Sequence, residues 1–251
     1  MRAKLLILGG TTEASALAQA VADAGLAGEV SLAGRVDRPR PLPLPTRIGG
    51  FGGVEGLAKY LQANAITHLV DATHPFAAQI SANAIHAARL AGVPMVALTR
   101  APWAAQAGDQ WHHVPDMAGA VAALSGPARR VMLAIGRMHL ADFAAQPQHF
   151  YLLRLVDPPR DAITLPDHHA EVSRGPFTVE GDMALLREHR IEVIVSKNSG
   201  GAAAKAKLDA ARALGIGVIM INRPCVPDRM EVTTVEDLMA WLGHSGTDRG
   251  V

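Results

Sequence analysis

A single cysteine, Cys225, occurs in the 251 residues, so neither an intrachain disulfide nor a cysteine metal cluster can form. Aromatic residues make up only 4% of the chain, which disfavours an all-β sandwich, whose strands draw heavily on Tyr, Phe and Trp. No segment approaches the ~18 consecutive apolar residues that span a membrane. The apolar run that begins at Leu5 is too short for the hydrophobic part of a secretion signal and leads directly into a helix signal. A formal net charge of +1 offers no electrostatic attraction to nucleic acid or to an anionic membrane. Four chemical signatures are also missing: G-x-G-x-x-G, the phosphate loop G-x-x-x-x-G-K-[ST], the zinc motif H-E-x-x-H and the nucleophile turn G-x-S-x-G. The expectation is a cytoplasmic protein without metal that binds neither nucleic acid nor membrane.

Hydrophobic residues make up 49% and charged residues 19%, the balance of a compact globular protein. Short β-branched runs alternate with Ala- and Leu-rich helical patterns, which predicts an α/β fold with parallel sheets. Strands are predicted at Lys4 to Leu8, Glu29 to Ala33, from His68 and at Val93 to Leu98. Helices are predicted after Thr11 or Thr12, over Val54 to Ala63 and over Phe76 to Ala91. The series restarts at Arg130 to Ile135 and continues with strands at Phe150 to Val156, Glu192 to Val195 and Gly217 to Ile221. Helices follow near Thr178 to His189, Gly201 to Leu214 and Val235 to Leu242. Two Rossmann-like parallel-sheet halves with a cleft between them are expected, residues 1–125 for the dinucleotide and residues 126–251 for the substrate. The proline-rich stretch Arg38 to Pro45 reads as a stiff surface loop. Cys225 reads as a small buried hydrophobe.

Ser196-Lys-Asn-Ser-Gly-Gly201 joins a buried strand to a helix, and it combines an ammonium, small hydroxyls and two glycines where anions bind. An ordinary connection between strand and helix rarely needs all of these together. Leu8-Gly-Gly-Thr-Thr-Glu13 fills the first strand-to-helix turn, where doubly wound folds hold a pyrophosphate. Gly9 and Gly10 permit close backbone approach there, and Thr11 or Thr12 caps the helix; a tight capped turn is the alternative. Arg35 follows the second strand, a position where a basic group suits a 2′-phosphate and favours NADPH over NADH. Asp71-Ala-Thr-His-Pro-Phe76 opens at the carboxyl edge of the sheet; Thr73 or His74 would cap the helix with Pro75 in its first turn, and His74 is a candidate acid. Arg137, Arg154, Arg174 and Arg223 lie at strand ends or in loops and together would suit a polycarboxylate. The adjacent pairs His112-His113 and His168-His169 diverge on strands and read as structural or solvent-facing.

Taken in order, the motifs Leu8 to Glu13, Asp71 to Phe76, Gly136-Arg137, Arg174-Gly-Pro-Phe177 and Ser196 to Gly201 resemble the precorrin-6A reductase family of cobalamin biosynthesis. The resemblance runs from Leu5 to about Leu242. It implies an oxidoreductase of porphyrin metabolism that adds hydride from a nicotinamide to the C18–C19 double bond of a macrocyclic tetrapyrrole, with hydride to C19 and a proton to C18. It further implies that Gly9, Gly10, Thr11, Thr12, Glu13, Arg35, Thr73, His74, Pro75 and Phe76 hold NADPH. Arg137, Arg174, Ser196, Lys197, Asn198, Ser199 and Gly200 would hold the polycarboxylate tetrapyrrole, with Lys197 first and His74 second as proton donor; the alternative for Lys197 is an electrostatic clamp, with water giving the proton. Two rival readings are a nucleotide-sugar transferase of two Rossmann-like halves and a non-catalytic nucleotide sensor. The sequence shows no obvious exposed apolar stripe, so a monomer is expected.

Overall fold

The computed structural model describes residues 3–34, 41–159 and 161–245. The chain begins with β1 (Lys4–Leu8), α1 (Thr12–Asp23), β2 (Ala27–Leu32), β3 (Thr46–Ile48), α2 (Gly53–Ala63), β4 (His68–Asp71), α3 (Ala78–Ala91) and β5 (Met95–Leu98). It continues with β6 (Trp111–Val114), α4 (Met117–Ala122), β7 (Arg130–Ala134), two short 3-10 turns at Arg137–His139 and Ala141–Ala145, β8 (Phe150–Leu155) and β9 (His168–Val172). The remainder is α5 (Val179–Glu188), β10 (Val193–Lys197), α6 (Ala206–Leu214), β11 (Gly217–Ile221), β12 (Glu231–Val232) and α7 (Val235–Ser245).

Two six-stranded sheets result, ordered β12-β5-β4-β1-β2-β3 and β6-β11-β10-β7-β8-β9. All their pairings are parallel. A parallel sheet buries both faces, and β1 shows how alternation serves both. Leu5 and Ile7 join Leu17 and Val21 of α1 and Leu238 of α7 on one face. Leu6 and Leu8 join Leu57 and Leu61 of α2 and Ala84 of α3 on the other. In the second sheet Met132, Leu152, Ile194 and Met220 pack on Leu186 of α5 and Leu208 of α6. Burying a side chain of this size contributes about 1.5–3 kcal/mol, so these layers fix the sheets.

The compact units are Met1–Ala101 with Cys225–Val251, and Pro102–Pro224. This corrects the boundary expected near residue 125, for a topological reason. Each half of the sequence lays down five strands of one sheet and then sends its sixth to the other. β6 pairs with β11, while β12 pairs with β5. The sequence halves are thus the repeat, and the compact units are that repeat with its last strand exchanged.

Candidate active site

In each sheet the chain runs outward from one strand in both directions, so its order reverses beside that strand. Ligands of open α/β sheets bind outside the carboxyl ends of the strands at such a point. In the first sheet the flanking strands are β1 and β4; in the second they are β7 and β10. The loops that follow these four strands are Gly9 to Glu13, Ala72 to Phe76, Ile135 to Arg137 and Asn198 to Gly201. The motifs singled out from the sequence therefore fall on the expected edge of each sheet.

In the first unit, the β1 and β4 loops are stitched together. Thr11 caps α1 by accepting from the Ala14 N–H at 3.1 Å, and its hydroxyl donates to the Ala72 carbonyl at 2.8 Å. Thr12 is the first helical residue, not the cap. The other first-turn N–H groups of α1 have no carbonyl ahead of them within the helix, which leaves a positive end facing the loop. A Cβ on Gly9 would sit 2.8 Å from Val30 Cγ1, and Gly10 holds φ +117°, so neither position accepts a side chain easily. Glu13 does not face this site alone. Arg100 Nη1 donates to both of its carboxylate oxygens, at 2.9 and 2.8 Å. Burial alone would raise the Glu13 carboxyl, but the hydrogen bonds from Arg100, from its own backbone N–H and from Thr12, with the Arg100 charge, together outweigh it and leave it below its ordinary value. The pairing also offsets a negative charge that would otherwise repel a phosphate beside the helix end.

The β4 loop is organised by Asp71, which is buried. Its Oδ1 accepts from the Thr73 hydroxyl at 2.6 Å and the Thr73 N–H at 3.1 Å. Its Oδ2 pairs with Arg229 Nη1 at 2.5 Å. α3 begins at Ala78 with Ala77 before it and no side-chain cap, so neither Thr73 nor His74 caps it and Pro75 lies in the turn ahead. His74 Nδ1 accepts instead from the Phe76 N–H at 3.2 Å. A neutral ring in that arrangement carries its proton on Nε2. Arg35 lies outside the described residues.

In the second unit, β10 extends through Ser196 to Lys197, beyond the expected end. α6 begins only at Ala206, with Lys205 before it and no side-chain cap. The Ser196 to Gly201 loop is therefore separated from the helix by a turn, and the helix dipole is not what would make it bind an anion. The loop is tight and largely buried. The Lys197 carbonyl accepts from the Ser199 N–H at 2.7 Å and from the hydroxyls of Ser196 and Ser199 at 3.3 Å each. Asn198 was expected to face substrate, but its amide is turned onto Trp103, accepting from the N–H at 2.7 Å and donating to the carbonyl at 3.0 Å. Trp103 Nε1 in turn donates to the Gly201 carbonyl at 2.8 Å.

The arginines divide into two groups. Arg154 is buried against Asp182, at 2.5 Å for its closer contact, and stacks 4.4 Å from the Phe177 ring. Arg223 donates to the carbonyls of Asn198 and Ser199 at 2.9 and 3.0 Å. These two hold the protein together and do not present a free fork to a carboxylate. Arg137 and Arg174 are exposed, Arg137 in the turn after β7 and Arg174 paired with Asp157. Cys225 is exposed, not buried, because it sits in the chain leaving the second unit and not under a helix. His112, His113, His168 and His169 are all exposed, as the sequence suggested.

Sequence reading missed Arg100, Trp103 and Arg229, which support three of its five motifs, those at Leu8 to Glu13, Ser196 to Gly201 and Asp71 to Phe76. Arg100 ends an apolar strand run and could have been singled out on that ground. Arg229 has no local signal, since its partner Asp71 lies far away in the chain.

A family model described as "Precorrin-6x reductase CbiJ/CobK" matches residues 4–243. The precorrin-6A reductase of Rhodobacter capsulatus is 59% identical over 249 residues, covering 99% of each chain. That of Rhodococcus erythropolis is 49% identical over 246 residues, covering 96% of this chain and 97% of that one. A solved structure of CobK precorrin-6A reductase matches with a TM-score of 0.94 at 58% identity, covering 99% of this chain and 100% of the other.

Proposed function

The chain belongs to the precorrin-6x reductase family, and from that premise we propose that it reduces precorrin-6A with NADPH, adding hydride at C19 and a proton at C18. The observation that supports this most is the stitched pair of loops at the β1/β4 switch point, closed by the Thr11 to Ala72 hydrogen bond.

Those loops suit a dinucleotide without the standard glycine fingerprint. Gly10 leaves the backbone uncovered, since nothing lies within 4 Å of where its Cβ would be. The first turn of α1 supplies N–H groups for a pyrophosphate, with the Thr12 hydroxyl beside them. Thr73, whose N–H and hydroxyl are both given to Asp71, offers its hydroxyl oxygen as an acceptor, and the Nε2 proton of His74 is assigned as a further donor. Pro75 and Phe76 supply apolar surface, and Arg35 is assigned to the 2′-phosphate.

When bound, the nicotinamide supplies the hydride. The remaining chemistry falls to the protein: it must orient the macrocycle and deliver one proton. Arg137 and Arg174 are assigned to the substrate's carboxylates, with Ser196, Lys197, Ser199 and Gly200 of the β10 loop. Lys197 Nζ is assigned as the donor to C18, with His74 as the second candidate.

Binding of NADPH and NADH, with an Arg35→Ala variant alongside, tests the cofactor. A preference for NADPH that collapses in the variant supports the reading; equal binding of both nucleotides removes the 2′-phosphate assignment. Replacing Lys197 by Ala should lower turnover by about 10²–10⁴-fold, the ordinary contribution of a positioned acid, with a much smaller change in KM. Unchanged turnover would remove Lys197 from the catalytic list.

A further inference from the structure

The chain passes between its two units twice, at Ala101–Pro102 and at Pro224–Cys225. On each side of both crossovers stands a residue bonded to a ligand loop. Before the first, Arg100 holds Glu13 at the start of α1. Just after it, Trp103 is gripped by Asn198. Before the second crossover, Arg223 holds the carbonyls of Asn198 and Ser199. After it, Arg229 pairs with Asp71, which fixes Thr73.

We propose that Arg100, Trp103, Arg223 and Arg229 are positioning residues that couple the nucleotide loops of the first unit to the Lys197 loop of the second through the two crossovers. The proposal rests on the assignment of the nucleotide to the first unit.

Three features make the crossovers suited to transmission. Each contains proline, Pro102 in one and Pro224 in the other, whose fixed φ limits the slack a connector can absorb. Trp103 is nearly buried, and Lys207 Nζ sits 4.8 Å from the centre of its ring, so the far end of the first crossover is anchored. The near ends are ionic and lie at the sites themselves: Glu13 is in the first turn of α1, and Asp71 orients Thr73. A nucleotide that orders these two loops thereby restrains the segments leading to Trp103 and Arg223. Restraint there leaves Asn198 and Ser199 fewer alternatives, which is a binding-linked loss of local opening.

The test is amide hydrogen exchange of residues 196–201, with and without saturating NADP⁺, in the wild type and in Arg100→Gln. Binding is measured separately by calorimetry. In the wild type, NADP⁺ should slow exchange in this loop by about tenfold. In Arg100→Gln at saturation, that protection should be largely lost while exchange in the Thr11 and Thr73 loops is still slowed. Arg100→Lys, which keeps the charge on a shorter side chain without the planar guanidinium, should be intermediate; it serves also if the glutamine variant does not fold. NADP⁺ binding to the wild type without protection of 196–201 overturns the coupling and leaves the cofactor assignment standing. So does protection that survives unchanged in both variants. Absence of NADP⁺ binding overturns the cofactor assignment itself, and the coupling with it.

Discussion

Asn198 grips Trp103 by both ends of its amide, accepting from the N–H at 2.7 Å and donating to the carbonyl at 3.0 Å. Asparagine alone among the small side chains offers a donor and an acceptor side by side, so it mimics a strand partner for one peptide unit. Both residues are at most 9% exposed. Replacing Asn198 by Ala therefore leaves a buried N–H and a buried carbonyl unpaired, a loss of about 1–3 kcal/mol for each group. The melting temperature should fall, and turnover should fall with it because Lys197 precedes Asn198 in the chain. Asn198→Asp keeps the acceptor but cannot donate to the carbonyl, so it should not rescue stability. Thermal unfolding of both variants against wild type checks this; a wild-type melting temperature in the alanine variant would refute it.

Glu13 and Arg100 make a pH-dependent contribution of known sign. The folded-state carboxyl lies below its ordinary value: burial, the largest single effect, raises it, but the Arg100 hydrogen bonds and charge together with the bonds from its own backbone N–H and from Thr12 outweigh that. Its contribution is thus fully present above the unfolded value of ~4.3 and is lost as pH falls through the lower folded value. The stability difference between wild type and Glu13→Gln should be constant near neutrality and shrink below ~4.3. Added salt should reduce it, because both side chains are partly solvated. Urea unfolding at several pH values measures the difference, and a gap that widens on acidification would contradict the sign.

Asp71 and Arg229 form the more buried pair, with side chains 2% and 11% exposed. In Asp71→Asn the amide can keep the bond from Thr73, but its NH₂ then faces the Arg229 guanidinium, donor against donor. Breaking one partner of a buried ion pair costs about 3–5 kcal/mol. Denaturant unfolding should show a loss of that order, and NADPH affinity should fall as Thr73 loosens. A stable variant that binds NADPH normally would show that Asp71 is not needed to set the loop.

The central strands were legible in the sequence because burial on both faces demands continuous apolar runs, as in Lys4–Leu8 and Gly217–Ile221. The four strands that were missed, β3, β6, β9 and β12, are the four sheet edges. An edge strand pairs on one side only and stays partly wet, so it carries little apolar signal: β9 reads His-His-Ala-Glu-Val, and β12 is two residues long. β6 and α4 likewise carry too little apolar periodicity to mark themselves in the sequence. The exchange of β6 and β12 was invisible for a different reason. Which strand neighbours which is set by pairing across more than a hundred residues, and no local pattern encodes it. The site divides in the same way. Loops with glycine, threonine and lysine at strand ends announced themselves, whereas Arg229 and Trp103 acquire meaning only from partners distant in sequence.

Gly56 tests whether a local rule or tertiary contact wins in α2. Alanine in place of glycine inside a helix ordinarily stabilises by about 1 kcal/mol. Here a Cβ on residue 56 would lie 1.7 Å from the Phe51 carbonyl oxygen and 2.8 Å from its carbon, both backbone atoms. Phe51 cannot easily yield, because the Arg47 guanidinium stacks 4.0 Å from its ring centre. The same guanidinium binds the Gly49 and Gly50 carbonyls at 3.0 Å each, fixing the run that leads into the helix. Relieving the overlap requires moving the loop or fraying the first turn of α2, at a cost comparable to overpacking a core, about 1–3 kcal/mol. The steric term exceeds the helix-propensity gain, so Gly56→Ala should destabilise. Gly50→Ala provides the control: no atom lies within 4 Å of its Cβ position, and its φ is not in the left-handed region. Chemical denaturation of the two variants should therefore separate them, with Gly56→Ala shifted to lower denaturant and Gly50→Ala close to wild type. A Gly56→Ala protein as stable as wild type would mean that the Phe51 loop adjusts freely and that Arg47 does not hold it.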